Sequence, residues 1–400
     1  MSATLQTTTR DFWPERVYVE RAAAQDEIAQ RVVSRLGGAQ IIELEDPSDP
    51  NGEDAAKLRG ENRVKSSTTY SRGKHELMLM RYRGNWLRAC PGTSQHVCCN
   101  LWTVNPGEGC PLDCTYCYLQ SYLRRNPTLK IFTNIPEMLA AIEQRTQEQP
   151  DRFFRIGTGE VIDSLVWDEL TDLTHSLVPF FGRLPNGLLE LKSKFDSVDN
   201  LVALRDEHRG NTVVSWSVNA ECVTDRDEAM TASLDRRLHA AQRVIEAGYR
   251  VGLHFDPLIH FDNWQDHYQQ AIEKIFRAVD PKRVAWVSVS TLRYRKEMQQ
   301  VMVERFPESK LPFGEQFLAK DDKLRYIQPI RFQLVNFAWQ EIKRVAGNVP
   351  LYMCMESAAA WRQVAGGAPA AGSELVEIFS RRGHKLPLQT GVEPQNWLQG

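Results

Sequence analysis

Gly109-Cys110-Pro111-Leu112-Asp113-Cys114-Thr115-Tyr116-Cys117-Tyr118 sets three cysteines at Cys-x-x-x-Cys-x-x-Cys spacing, in a loop opened by Gly and Pro and followed by a helix-forming stretch. Three thiolates at this spacing can hold three irons of a [4Fe-4S] cluster and leave the fourth iron open. An ordinary electron carrier uses four protein thiolates per cluster, so a trio with no fourth cysteine close by points to a small molecule completing the coordination. Zinc is the alternative metal, but it closes tetrahedrally on four ligands and commonly uses two Cys-x-x-Cys pairs. Cys90, Cys98 and Cys99 upstream are available to supply a missing ligand in that case.

Outward from the loop, short β-branched runs alternate with amphipathic helical stretches, the pattern of parallel strands joined by helical crossovers. Strands are expected at 154–157, 188–192, 212–218, 250–255, 284–290 and 350–355, and helices at 163–177, 235–247, 265–279 and 331–346. This order fits a partial or complete barrel and also an open doubly wound sheet; in either, the site lies at the carboxyl ends of the strands. Before the loop, Arg16 to Glu20, a helix from Ala22 to Leu36 and Gln40 to Leu44 read as a small strand-helix-strand unit. The expected fold class is α/β, a partial (β/α) barrel with a small N-terminal α/β lobe. The expected divisions are a lobe over 1–88, the barrel over 89–364, and a hinge and tail over 365–400. Residues 306–326 break the alternation with a polar stretch, read as a lid or hairpin beside the site.

The chain has 400 residues, 42% hydrophobic and 25% charged, with 49 Lys plus Arg against 51 Asp plus Glu. That balance provides no global basic field for nucleic acid, so any such contact must come from local patches. No apolar run approaches the ~18 residues of a membrane span, and no signal peptide is read at the N-terminus, so a cytoplasmic protein without a membrane partner is expected. Eight cysteines, three of them at ligand spacing, argue against a disulfide framework.

The cysteine loop, with Tyr116 and Tyr118 around its last cysteine and Leu119-Gln120 after it, resembles that of radical S-adenosylmethionine enzymes, most closely the spore photoproduct lyase family. Ser193 to Leu201, Ser217-Val218-Asn219, Glu246 to Gly252 and Asp256-Pro257-Leu258 are similar to further family segments. The resemblance implies a [4Fe-4S] cluster on Cys110, Cys114 and Cys117 that passes an electron to S-adenosylmethionine, giving a 5'-deoxyadenosyl radical that abstracts hydrogen from a substrate. It nominates Tyr116, Tyr118, Gly157, Gly159, Glu160, Lys194, Ser217, Asn219 and Asp256 for the cofactor pocket. It also implies an external one-electron reductant of flavodoxin or ferredoxin type, and DNA or a nucleoside as substrate, with carbon-carbon cleavage in a thymine lesion as the reference reaction.

One departure stands out. Matched without gaps, Glu160 falls where the family has the cysteine thought to return a hydrogen atom, and a carboxyl O–H bond is too strong for that step. Glu160 instead suits an ammonium group, since Gly157-Thr158-Gly159-Glu160 allows a ligand close to the backbone. Cys354, near the end of the last expected strand, is nominated as hydrogen donor, with Tyr116 and Tyr118 as radical relays and Cys222 a weaker alternative to Cys354. His254, Asp256 and His260 are weighed as an acid-base or metal group, and Arg293 to Lys296 as a phosphate contact with Tyr294 stacking on a base. Three functions stay open: lesion repair, radical chemistry on a substrate that is not nucleic acid, and a non-catalytic nucleic-acid-binding protein with a structural zinc.

Overall fold

The computed structural model describes residues 8–47, 52–54, 67–90, 92, 96–123, 126–319 and 321–367. Its main sheet has eight strands in the order 351–353, 284–291, 250–258, 212–217, 187–193, 154–157, 102–103 and 88–89. All neighbours are parallel except the last pair, Arg88–Ala89 with Trp102–Thr103. From 154 to 353 each strand lies beside the one before it in sequence, with no reversal of order. That steady progression is barrel winding; a doubly wound sheet reverses direction at a switch point. The strands 154–157, 212–217 and 284–291, buried at every residue, fit a parallel sheet covered on both sides.

The crossovers follow the amphipathic pattern. Leu234–Glu246, Trp264–Ala278 and Gln328–Ala346 each bury one face on the sheet. The helix expected over 163–177 differs. Asp163 accepts from the N–H groups of Leu165 and Val166, an Asx turn that competes with helix formation. Helix begins only at Asp168, breaks at Asp172 with φ +49°, and resumes over Leu173–Arg183.

The N-terminal strand-helix-strand unit forms as expected, with Arg16–Glu20 parallel to Gln40–Leu44 around helix Glu27–Arg35. Its sheet does not stop at residue 88, however. Glu76–Met80, Leu129–Phe132 and Gly107–Glu108 extend it, while Arg88–Ala89 belongs to the main sheet. The boundary expected at 88 therefore fails, because backbone pairing interleaves the two sheets on either side of the cysteine loop. Within the stretch 306–326 the chain forms strands 316–318 and 323–326, which join 293–295 in a three-stranded antiparallel sheet. The tail expected over 365–400 lies outside the described residues beyond 367. Among the described residues no helix is long and apolar enough to cross a membrane.

Candidate active site

Below the site, the barrel interior is charged. Arg155 and Glu190, on adjacent strands, form a buried ion pair at 2.7 Å. Glu190 also accepts from Ser215 and Trp286 and meets His254 Nε2 at 2.8 Å, while His254 Nδ1 meets Ser288 at 2.6 Å. Burial, helped by Lys192, pushes the imidazole down to about 4, so it sits neutral as a hydrogen-bonding strut. His254 is thus part of the floor; Asp256 pairs with Arg293 at 3.1 Å, and His260 is exposed. The acid-base or metal group weighed for these three residues does not form.

Above this floor lies a cavity of about 1060 Å³. The cysteine loop forms one wall: Cys110, Cys114 and Cys117 all line the cavity, and burial pushes each thiol's pKa up. The loop is clasped from outside. Lys74 and Arg305 both pair with Asp113, at 2.7 and 2.9 Å; burial would raise that carboxyl, but the two cations outweigh it and hold it low. From within, the short strand Glu228–Ala229 pairs with Asp113–Cys114.

Glu228 is the residue the sequence reading missed. It is fully buried, 2.6 Å from Arg237 and 2.9 Å from Lys194, and it accepts a hydrogen bond from Tyr116. Despite burial, Lys194 and Arg237 hold its carboxyl down at about 2. Lys194 thus emerges from its strand end beside the loop, its amide fixed by Asp163 at 2.9 Å. Asp163, which also accepts from Ser193, is a second missed positioning residue. Neither signal was local: Glu228 gains meaning only when residues 114 and 228 pair.

Gly159, Glu160, Ser217 and Asp256 line the cavity with Tyr116, Tyr118 and Lys194. Asn105 donates to the Glu160 carboxylate at 3.2 Å, and the Tyr118 hydroxyl donates to the Glu160 carbonyl. At Gly159 a Cβ would lie 3.1 Å from Lys192 Cβ and 3.2 Å from Lys192 O, so glycine permits this close approach. Three expected residues lie elsewhere. Gly157 is on the strand beneath, Asn219 is buried between Pro257 O at 3.0 Å and the Tyr268 hydroxyl at 2.8 Å, and Cys354 is not on the lining. Tyr294 borders the cavity but is 2% exposed, its hydroxyl donating to Gln316. Arg88, Lys192, Arg295 and Lys323 bring positive charge to the cavity wall.

The donor set fits an iron–sulfur cluster. Three thiols share one wall, Cys114 buried and Cys110 and Cys117 half-buried, and among the described residues no three ligating side chains converge as a single metal ion requires. A cluster spreads its thiolates over separate irons, whereas zinc draws four ligands to one point at about 2.0–2.3 Å. Glu160 and Lys194 supply one anion and one cation on the same cavity, the pair of charges an amino-acid moiety needs.

The protein-family model described as spore photoproduct lyase matches residues 12–328. The spore photoproduct lyase of Bacillus subtilis (strain 168) is 26% identical over 308 residues, 76% of this chain and 86% of the relative. That of Geobacillus sp. (strain Y412MC61) is 29% identical over 216 residues, 54% of this chain and 63% of the relative, so the match spans less than two thirds of that protein. A solved spore photoproduct lyase complexed with dinucleoside spore photoproduct superposes with a TM-score of 0.74 at 22% identity, covering 86% of this chain and 99% of that one. A mutant with bound AdoMet and the same dinucleoside gives 0.75. These likenesses show the fold, an α/β chain with a curled half-barrel sheet.

Proposed function

The chain belongs to the spore photoproduct lyase family of radical S-adenosylmethionine enzymes, and from that premise we propose that it cleaves S-adenosylmethionine reductively to abstract hydrogen from a DNA lesion or nucleoside. The observation that carries the reading is one cavity lined at once by the Cys110, Cys114 and Cys117 loop and by the strand-end residues Glu160, Lys194, Ser217 and Asp256. Bound there, a [4Fe-4S] cluster and S-adenosylmethionine supply the reactive carbon radical, and the protein supplies orientation and exclusion of water.

In this reading Cys110, Cys114 and Cys117 hold the cluster. Lys194 offers its ammonium to the cofactor carboxylate, and Glu160 accepts from the cofactor amine. Tyr116 keeps Lys194 and Glu228 in register through its hydroxyl, and Tyr118 fixes the Glu160 backbone. The cationic wall of Arg88, Lys192, Arg295 and Lys323 suits the phosphodiester of a nucleic-acid substrate. An external one-electron reductant of flavodoxin or ferredoxin type is the partner the chemistry requires. All eight cysteines are free thiols, which accords with the reducing cytoplasm. Cys354 lies off the cavity lining, and no hydrogen-donor role is proposed for it.

Glu160 favours a second reading, radical chemistry on a different substrate, because a carboxylate rather than a thiol occupies that part of the wall. One experiment separates the two. Anaerobically reconstituted protein with dithionite and S-adenosylmethionine is expected to form 5'-deoxyadenosine, and with dinucleoside spore photoproduct to release the two thymidines. Formation of 5'-deoxyadenosine without repair removes the lesion as substrate; no 5'-deoxyadenosine removes the whole reading.

A further inference from the structure

Among the described residues six cationic side chains line the cavity, and five of them have either a counter-charge or open water. Lys194 pairs with Glu228 at 2.9 Å, Arg293 with Asp256 at 3.1 Å and Lys323 with Asp321 at 3.5 Å. Arg88 and Arg295 are exposed, so solvent screens their charge. Lys192 is the sixth. It is half-buried, and among the described residues its ammonium makes neither an ion pair nor a hydrogen bond.

The strand explains how this charge comes to stand in the cavity wall. Side chains alternate between faces along Gly187–Ser193, so Glu190 and Lys192 share one face. Glu190 is engaged in the floor by Arg155, His254, Ser215 and Trp286. Lys192 is the next side chain on that face towards the carboxyl end, where the cavity begins. Ser164 holds its backbone on both sides: the Lys192 N–H donates to Ser164 Oγ at 3.0 Å, and the Ser164 N–H donates to Lys192 O at 3.1 Å. Ser164 Oγ is tied in turn to Thr158 at 2.8 Å. With Gly159 packed against its Cβ, the base of Lys192 is firmly mounted.

A half-buried ammonium with no counter-charge is costly unless a ligand brings one. The carboxylates of the cavity are otherwise occupied. Asp256 holds Arg293, Asp163 accepts from the backbone of Leu165, Val166 and Lys194, and Glu160 accepts from Asn105. In the reading above, the cofactor carboxylate goes to Lys194, beside the cysteine loop. Thymine bases are neutral, so the anion that a lesion carries into the cavity is the phosphodiester joining its two nucleosides.

We propose that Lys192 binds this internucleotide phosphodiester and so sets the preference for a lesion within a nucleic-acid strand over a free dinucleoside. The proposal rests on the lesion reading above and assigns its specificity to one residue. The exposed Arg88 and Arg295 are left for the flanking phosphates, and Lys192 meets the phosphate that enters the cavity. A compact ammonium suits a phosphate oxygen as a point charge.

The test is calorimetric titration of the reconstituted protein with S-adenosylmethionine present and no reductant, so that binding is read without turnover. The ligands are dinucleoside spore photoproduct and the same lesion with its internucleotide phosphate. The wild type is expected to bind the phosphate-bearing form about tenfold to a hundredfold more tightly, and Lys192→Met to lose that preference. Lys192→Arg is expected to restore part of it, since the charge is kept. Lys192→Gln replaces Lys192→Met should the latter misfold. A wild type that binds both forms alike, or a Lys192→Met that keeps the preference, overturns the proposal and leaves the lesion reading standing. A loss of S-adenosylmethionine affinity in Lys192→Met equal to that in Lys194→Ala also overturns it, by giving this ammonium to the cofactor. Binding of neither form refutes the lesion reading and this proposal together.

Discussion

Two groups of cysteines are built by opposite routes: Cys110, Cys114 and Cys117 all line the cavity, whereas of Cys90, Cys98, Cys99 and Cys354 Cys90 alone reaches it. The loop group lies within a single turn-rich stretch and is clasped by ions at both ends: Lys74 and Arg305 on Asp113 outside, Lys194 and Arg237 on Glu228 inside. The second group, at the seam between the first and last strands of the main sheet, is spread from residue 90 to residue 354, and its segments are brought together only because the half-barrel curls. Local spacing fixed the first before any packing formed; the second exists only as a product of packing. The largest expected contrast follows from this. Cys114→Ala should abolish 5'-deoxyadenosine formation, since in the proposed function its thiolate is a cluster ligand with no substitute on the loop. Cys98→Ser should leave formation measurable. Equal loss in both variants, by chromatography of the nucleoside product, would erase the distinction between radical-generating loop and accessory seam.

The loop depends on its clasp, and this sets the next effect. Removing Glu228 leaves Arg237 buried without its carboxylate and Lys194 without its anchor. Breaking a buried pair in this way costs about 3–5 kcal/mol. Thermal unfolding of Glu228→Ala should therefore show a large drop in melting temperature, with a further drop in iron retained. A seam substitution such as Cys98→Ser, which strands no charge, should shift stability by about 1 kcal/mol. If Glu228→Ala melts like the wild type, the clasp does not carry the loop.

Much of the barrel was legible. Gly187–Ser193, Arg250–Leu258 and Trp264–Ala278 fall within a few residues of their expected places, because apolar runs and amphipathic periods are imposed by burial along the strand or helix itself. The loop trio, Lys194 and Glu160 were legible from spacing and resemblance, and all line the cavity. What was not legible depended on distant chain. Glu228 reads as an ordinary acidic residue until residues 114 and 228 pair. The helix expected from 163 was displaced because Asp163 spends its carboxylate on backbone N–H groups and on the neighbouring strand. Asn219, chosen beside Ser217, turned away because Tyr268 and Pro257 offered it buried partners. The domain boundary at 88 failed since strand pairing across the loop carries no sequence period.

Beneath the cavity lies the charged floor, and acid should reach it before it reaches the clasp. His254 is held neutral down to about 4 in the fold, against about 6.5 when unfolded. Between those values the unfolded chain binds a proton that the folded chain refuses, so stability falls as pH drops from about 6.5 towards 4. Above that window the group contributes no pH dependence. Glu228, held at about 2 against an unfolded value of about 4.3, loses its contribution only as pH falls further, from about 4.3 towards 2. Melting temperatures of wild type and His254→Gln, followed from pH 7 to 4, should converge in slope only at the upper end. Parallel curves throughout would show that the imidazole is not the group titrating.

The smallest effect tests how the clasp hands over to the cofactor. Lys194 is shared between Glu228 and Tyr116, with 17% of its side chain exposed towards the cavity. A charge-assisted hydrogen bond from it to a carboxylate is worth about 1.5–3 kcal/mol, so Lys194→Ala should weaken S-adenosylmethionine binding by a factor of roughly 10 to 150. Lys194→Arg should retain part of the affinity, as the charge survives while the compact ammonium geometry does not. Calorimetric titration of reconstituted protein reads both. The Glu228 side remains paired with Arg237 in either variant, so iron content should stay near wild type. A loss of iron equal to that of Glu228→Ala would instead make Lys194 part of the clasp alone, and the cation facing the cofactor would have to be sought in Lys192, two residues earlier on the same strand.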